Sequence, residues 1–402
     1  MYINKLVSVF SIALASFTTI NAQEPLKISN GDNTIEFGAT FGTYYQYREY
    51  SPGYAKTKMD KNTFKVKDAR FDFNGKYGED YEFHLQIDVA ALGTADPAAP
   101  PVYDANFTYK GFKKSIGSII IGWDKLPYSY SSLVEHEWSP FWERPVITKG
   151  DFFSRRDVGI RLERSFLKNK MKYYAEVCTG TGENALGNMN DPSGALEMVG
   201  RLEYSYPEKR KKEFLDTKVS QTPFFTIGAN ARYSNRRLPA GTVFLPGEKG
   251  ALLDDSTRDF KVINGEKLLY GFDVCAMYKG FSAQFEIHQL KGTPQNANDP
   301  LLYIPVTNKY ATNFYAGGYY AQVNYFSKKL QSSFSVRYDE LNASDLVTGV
   351  SKHLALAFTH MLKGYHSMIK AEFYRNLDQT ETTIIKSSWQ NEYRIGWQFF
   401  IQ

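Results

Sequence analysis

"YEFHLQIDV", residues 81–89, decides the fold. Phe83, Leu85, Ile87 and Val89 alternate with Glu82, His84, Gln86 and Asp88. A period of two gives an extended strand one apolar and one polar face. The same period recurs along most of the chain. In "NTIEFGATFGTYYQY" (33–47), Ile35, Phe37, Ala39, Phe41, Tyr45 and Tyr47 share a face against Glu36, Gly38, Thr40, Gly42 and Gln46. "FFTIGANARYS" (224–234) repeats it, and "LLYGFDVCAMYKGFSAQFEIHQL" (268–290) does so twice around a Lys279-Gly280 turn. Helical periodicity is nearly absent.

These segments predict strands near 35–47, 64–77, 81–89, 103–109, 116–125, 157–165, 170–178 and 197–206 in the first half. The second half predicts 224–234, 268–279, 281–290, 314–326, 330–340, 351–362, 366–376 and 391–401. About sixteen strands is an even number, as single-chain outer-membrane barrels have. Tight turns such as "YGED", "FLKN", "YKG" and "FSKK" alternate with long segments at 90–102, 126–156, 179–196, 235–267, 291–313 and 377–390. Short turns at one end and long loops at the other are the barrel arrangement, turns periplasmic and loops external. The link 206–223, "YPEKRKKEFLDTKVSQTP", is too long for that scheme, and its charge run reads as a solvated face.

Composition agrees. The 402 residues include 29 Tyr and 29 Phe, yet mean hydropathy is −0.42. A helical membrane bundle is excluded, whereas a transmembrane barrel exposes only alternate residues to lipid and gathers aromatics at the interfaces. A soluble β-sandwich also buries one face, but Arg161, Arg201, Arg232, Arg337 and Arg394 all take the polar phase, as a watered lumen requires. Residues 1–22 have Lys5, an apolar run from Leu6 to Ile20 and the small-residue ending "INA", the pattern of a cleaved signal peptide. That leaves 23–402 as one barrel domain in the outer membrane of a Gram-negative bacterium, with lipid as its surroundings. The net charge of +5 is too mild and dispersed for nucleic-acid binding. Two places break the alternation. In "FKVKDARFDF" (64–73), Phe64 and Val66 lie in phase with Arg70, which calls for a bulge or a first part above the lipid band. In "IIIGWDKLP" (119–127), Ile120 hides the direction of Lys125.

Segment 126–156 is the fifth strand's long connection. Its stretch "SPFWERPVITKGDFFSRRDVGIRLE" (139–163) carries Phe141, Trp142, Phe152 and Phe153 beside Arg144, Lys149, Arg155, Arg156 and Arg161. Folded inward, such a loop would pack its rings on the inner wall and set its cations in the water path as an eyelet. Fixed cations are how pores favour anions and phosphate. The bland alternative pairs these cations with Glu143, Asp151 and Asp157.

The segments "GWDKLPYSYSSLVE" (122–135), "FWERPVITKGDFFSRRDVGIRL" (141–162), "AEVCTGTGENALGNMNDPSGALEMVGRLEY" (175–204) and "FKVKDARFDFNGKYGEDYEFHLQIDV" (64–89) resemble the phosphate-selective porin O and P family. The likeness runs from Phe64 to Tyr206, and beyond it only the strand pattern is alike. It implies a trimeric sixteen-stranded channel whose eyelet loop and basic side chains guide phosphate or polyphosphate. By motif, Lys125, Arg144, Arg155, Arg156 and Arg161 belong to the anion path, with Lys149 of the same loop, and Arg70 and Arg201 join them. The family often has an Arg pair where this chain has Lys67-Asp68 before Ala69-Arg70. An acid there favours general anion or small-solute passage over tight phosphate selection.

Other motifs mislead. "TGTGENA" matches G-x-G-x-x-A, but "LGNMNDPSG" follows where a dinucleotide site needs a helix, so no cofactor is expected. The six His lack zinc spacing, and no Ser sits in a nucleophile elbow, so neither a metal site nor an enzyme is expected. Cys178 and Cys275 fall three strands apart and should be free thiols. The leading expectation is a passive anion channel for small anionic solutes such as phosphate. The alternatives are a general small-solute channel without phosphate selectivity and a barrel whose long loops, 235–267 and 291–313, bind at the surface.

Overall fold

The computed structural model describes residues 26–50, 61–92, 102–112, 115–148, 153–182, 194–237, 263–347, 349–377 and 389–401. The signal peptide expected at 1–22, Lys149, Asp151 and Phe152, and most of 235–267 lie outside these residues.

Among the described residues, seventeen strands form one antiparallel sheet. A short leading strand, Leu26–Asn30, pairs with the first residues of the next. The other sixteen follow in chain order: β1 Asn33–Tyr50, β2 Lys61–Tyr77, β3 Tyr81–Asp88, β4 Val102–Tyr109, β5 Ser118–Lys125, β6 Arg156–Phe166, β7 Met171–Cys178 and β8 Glu197–Tyr206. They continue as β9 Phe224–Asn235, β10 Gly265–Tyr278, β11 Phe281–Pro294, β12 Phe314–Ser327, β13 Ser332–Asn342, β14 Ser351–Met361, β15 Ser367–Asn376 and β16 Trp389–Ile401. Each pairs with its chain neighbours, and β16 returns to β1, with Tyr393 opposite Tyr47 and Phe399 opposite Phe41. The barrel is closed, so no wall strand is left as an open edge.

Strand β8 shows why this sequence takes this form. From Glu197 to Tyr206 burial alternates without a break: Met198, Leu202 and Tyr204 face outward, while Glu197, Arg201, Glu203 and Ser205 face in. Outward rings pair across strands near both rims. Tyr81 with Tyr109 (5.2 Å) and Phe281 with Tyr325 (4.7 Å) lie by the short turns, and Tyr45 with Phe64 (5.3 Å) and Phe373 with Tyr393 (5.1 Å) lie by the long loops. Those two belts suit rings that sit between hydrocarbon and water.

Both breaks in the alternation resolve. Thr43 pairs with Val66 and Gly42 with Asp68, which leaves Lys67 as an extra residue. This bulge reverses the phase of β2: Phe64 and Val66 face lipid before it, Asp68 and Arg70 face inward after it, and Phe71 is outward again. In β5, Ile120 faces inward opposite Arg161 while Ile121 faces out, so the alternation holds with one apolar side chain on the inner wall.

The link 207–223 departs from expectation. Its charge run is exposed at Glu208, Lys209 and Lys212, as expected, but the residues that follow do not stay at the rim. Phe214 and Leu215 are buried inside the turn end of the barrel, Phe214 packing with Phe224 and Met277, and Leu215 with Phe326, Met361 and Phe400. Three apolar residues of the link, Phe214, Leu215 and Val219, thus insert from the short-turn side, which accounts for its length.

Candidate functional site

The connection from β5 to β6 re-enters the barrel. Its base is closed where Leu126 N–H donates to the Arg155 carbonyl (2.6 Å) and the Tyr128 hydroxyl to the Phe153 carbonyl (2.6 Å). Ser129 and Ser132 form a reciprocal capping box that starts a helical turn at Tyr130–Leu133. That turn presents Ser131 to Glu286 on β11. The Ser131 N–H donates at 2.6 Å and its hydroxyl at 2.9 Å, and the Tyr320 hydroxyl donates to the same carboxylate at 3.0 Å.

The loop then crosses the lumen. The Trp138 ring lies 4.6 Å from Tyr365 and 5.1 Å from Phe400, near the short-turn end. The Thr359 hydroxyl donates to the Pro140 carbonyl (3.1 Å), and Trp142 N–H donates to Glu372 (2.8 Å). Trp142 packs 5.1 Å from Tyr44, and Arg337 lies 4.3 Å over Phe141. Phe141, Trp142 and Phe153 are fully buried. Rings fasten the loop by area, and buried wall carboxylates satisfy the backbone N–H groups that an irregular segment would otherwise leave unpaired.

Most of the cations assigned to the path are ion-paired. Arg156 donates through Nε (2.9 Å) and Nη2 (3.0 Å) to Asp104. Lys125 donates to Glu135 and lies 3.9 Å from Asp104. Arg161 meets Asp124, Glu163 (3.3 Å) and Glu176 (3.6 Å). Arg70 meets Asp68, Glu137 and Asp88 (3.3 Å). Arg201 is bidentate on Asp273 (2.5 and 2.8 Å), and a Cβ at Gly228 would fall 2.1 Å from its guanidinium, so that glycine makes its cradle. The partners differ from those expected. Glu143 takes Lys67 (2.9 Å), while Asp157 accepts the Thr179 hydroxyl and the Gly182 N–H (3.0 Å). Inward side chains meet across neighbouring strands, at the loop and two residues apart along one strand, as Arg70 meets Asp68 and Arg161 meets Glu163, so the loop's own acids are not the main partners.

Arg144 differs. It donates to the Ser131 carbonyl, but its Nε and Nη2 have no partner among the described residues, although the side chain is only 6% exposed. Burial and the neighbouring Arg155 push its guanidinium down to about 10. Beside it stands Tyr103, its ring between the guanidinium of Arg70 at 4.0 Å and that of Arg156 at 3.8 Å. Arg70, Arg144, Arg155 and Arg156 all act electrostatically on Tyr103, so four guanidinium groups converge where the loop meets β2, β4 and β6. Sequence reasoning missed Tyr103, Asp104, Glu286 and Glu372. Asp104, Glu286 and Glu372 alternate with outward apolar residues, which was the available signal.

Gly180 and Gly182 of "TGTGENA" have φ of +72° and +68°. They turn the chain so that the Gly182 N–H reaches Asp157, which gives the glycines a role without a nucleotide. His84 and His288 face the lumen side, as their phase indicated, His288 lying 5.4 Å from Tyr128. Cys178 and Cys275 are free and buried. Among the described residues, Asp68, His136 and Glu137 bring ligand-type atoms within 4.8 Å of one another, but Arg70 donates to both carboxylates and already supplies the neutralising charge.

Residues 37–202 match the family model "Phosphate-selective porin O and P", which bears out the resemblance seen in the motifs. No curated protein matches the chain. Among solved structures it is similar to the anion-selective porin from Comamonas acidovorans (9% identity, 92% of this chain and 100% of that one, TM-score 0.58). It is also similar to the outer membrane channel DcaP of Acinetobacter baumannii (12% identity, 94% and 100%, TM-score 0.57) and to Salmonella typhi OmpF in complex with daunomycin (14% identity, 94% and 100%, TM-score 0.56). At these identities the likeness shows the fold, a sixteen-stranded porin barrel.

Proposed function

From the premise of a porin barrel whose residues 37–202 match the phosphate-selective porin O and P family, we propose an outer-membrane channel for passive passage of small anions. Its selectivity is set where loop 126–155 meets β2, β4 and β6. The observation that carries this reading is Arg144, a buried guanidinium with two nitrogens left without a partner among the described residues, in a cluster of four. An unsatisfied buried donor costs roughly 1–3 kcal/mol, more when charged, and an anion in transit removes that cost. Arg favours oxyanions because its planar fork can donate two parallel hydrogen bonds.

The acids set the strength of the effect. Asp104, Asp68 and Glu137 hold Arg156 and Arg70, and Glu135 holds Lys125, so the path is polarised without being strongly positive. Such a wall favours passage of chloride, phosphate and small carboxylates with fast release over tight phosphate capture. Asp68, in the place of an Arg, pairs with Arg70 and works in the same direction. The anion-selective porin and the trimer form of Vibrio cholerae OmpT with the same fold support anion preference and a homotrimer here.

Planar-bilayer conductance in chloride, titrated with phosphate, tests the reading. Phosphate should reduce chloride current, and Arg144→Ala should weaken that block about tenfold, one lost charged hydrogen bond. Equal block in both proteins would remove Arg144 from the path.

A further inference from the structure

Strands β13 and β14 carry a polar series that the anion path does not use. Asp339 on β13 stands opposite His353 on β14, and Ser351 precedes His353 by two residues on the same inward face. His353 Nδ1 lies 2.8 Å from Asp339 Oδ1, and its Nε2 lies 3.3 Å from the Ser351 hydroxyl. The second Asp339 oxygen accepts from Arg337 Nε at 3.1 Å, and the Tyr374 ring lies 4.9 Å from the imidazole, tilted by 33°. Acid, imidazole and hydroxyl thus stand in order on rigid strands, with the ring held on its face and at both nitrogens. Strands β13 and β14 are joined through residues 343–350 at the long-loop end, which puts Ser351 at the external mouth of the lumen.

The order of groups fixes what each atom can do. A carboxylate only accepts, so Nδ1 carries the proton that Asp339 receives, and Nε2 turns its lone pair toward Ser351. In that tautomer an imidazole can draw the proton from a hydroxyl, and the same constellation recurs on unrelated folds, recognised by geometry and not by sequence position. Other described histidines do not reach it. His136 lies between two acids, Asp68 at 3.1 Å and Glu137 at 3.5 Å. His360 meets the Ser332 hydroxyl at 2.9 Å without an acid, and His366 meets the Phe400 carbonyl at 3.0 Å. We propose that Ser351 is a nucleophile activated by His353 and Asp339, and that the external mouth of the barrel hydrolyses small carboxylic esters. This activity is separate from conduction and goes beyond the anion-channel reading.

The reaction balances with water alone. Ser351 Oγ bonds to the ester carbonyl carbon while its proton passes to His353 Nε2. The acyl–oxygen bond of the ester then breaks, and His353 returns the proton to the departing alcohol. Water gives a proton to His353, its oxygen adds to the acyl carbon, and Ser351 leaves and recovers the proton, so ester and water become acid and alcohol. Asp339 stabilises the imidazolium that forms twice on this route. The carbonyl oxygen, negative in each tetrahedral intermediate, needs a donor. The register sets Asn376 of β15, an inward side-chain amide, opposite His353 for that part. Ser351 is 7% exposed, which restricts the substrate to small esters. The carboxylate product belongs to the class of solute that the anion path favours.

The test uses the full-length protein in detergent, with a fluorophosphonate probe and with p-nitrophenyl acetate. Wild type should take up one fluorophosphonate per chain, located on Ser351 by mass spectrometry, and should hydrolyse p-nitrophenyl acetate faster than Ser351→Ala. His353→Ala and Asp339→Asn should slow the labelling about a hundredfold, the usual share of a positioned base, with heat-modifiable migration unchanged. Asn376→Ala should slow the hydrolysis by about the same factor. Wild-type protein that takes up no probe, or takes it up at another residue, overturns the proposal. So does a Ser351 labelled as fast in His353→Ala as in wild type, since that is an ordinary hydroxyl, and so does hydrolysis equal in wild type and Ser351→Ala. Hydrolysis indifferent to Asn376→Ala overturns the part given to that amide. The wild-type label requires no substitution, so it decides the question even where a variant fails to fold.

Discussion

Glu286 accepts two hydrogen bonds from Ser131 of loop 126–155, and Glu286→Ala should loosen the loop. Two of the three hydrogen bonds that this carboxylate accepts come from Ser131, at 2.6 and 2.9 Å. Bonds to a charged acceptor contribute about 1.5–3 kcal/mol each, so the substitution removes about 3–6 kcal/mol from the docked loop. At 1.4 kcal/mol per tenfold, the population of detached loop rises by about two to four powers of ten. Trp142 still docks on Glu372 at 2.8 Å, so the first half of the loop swings and the second stays anchored. Single-channel recording should show a noisier current with excursions above the wild-type level, and Glu286→Ala with Glu372→Ala should show a raised mean conductance. The sixteen-strand wall is untouched, so heat-modifiable migration should persist. A Glu286→Ala trace that matches wild type in level and noise would refute the docking role given to this carboxylate.

Other expectations are equally specific. Asp273→Ala leaves Arg201 buried with Glu203 as its remaining acid, and should cost about 3–5 kcal/mol, read as a lower temperature of gel-shift unfolding in detergent; an unchanged temperature would show that water reaches Arg201. Deleting Lys67 removes the extra residue and leaves Phe64 and Val66 outward in unbroken alternation with inward Asp68, so the barrel should still assemble with normal heat-modifiable migration, and loss of assembly would refute the reading of Lys67 as the bulge. Burial raises the Glu135 carboxyl, but Lys125 and Arg156 outweigh it and hold the group well below the ordinary carboxylate range. A carboxyl depressed on folding stabilises the docked loop above its unfolded value and loses that effect only as pH falls through the folded one. The Glu135–Lys125 contact should therefore hold from about pH 7 to about pH 4, and carboxyl resonances placing the Glu135 titration near the ordinary value would contradict it.

How far the sequence could be read followed from what periodicity encodes. Each strand buries one face, so all sixteen were visible in the alternation, and the inward direction of Arg161, Arg201, Arg232, Arg337 and Arg394 came with it. Lys67 was seen as a disturbance, but only the pairing of Gly42 with Asp68 and Thr43 with Val66 identifies it as a bulge. The loop's rings revealed that segment 126–155 had a surface to bury. Its charge partners did not show, because Asp104 sits two strands from Arg156 on the neighbouring hairpin and Glu286 lies on β11, which the loop meets only by folding into the barrel. The link 207–223 misled most. Its Lys and Arg run suggested solvent, whereas Phe214 and Leu215, two apolar residues among charges, direct it inward.

The most direct measurement is the zero-current potential of the purified wild-type protein in a planar bilayer separating unequal KCl solutions. A watered barrel whose constriction leaves two nitrogens of Arg144 without a partner among the described residues predicts a potential of the sign set by chloride, moving toward zero when Arg144 is replaced by Ala. A potential of the sign set by potassium, or one indifferent to that substitution, would contradict the account.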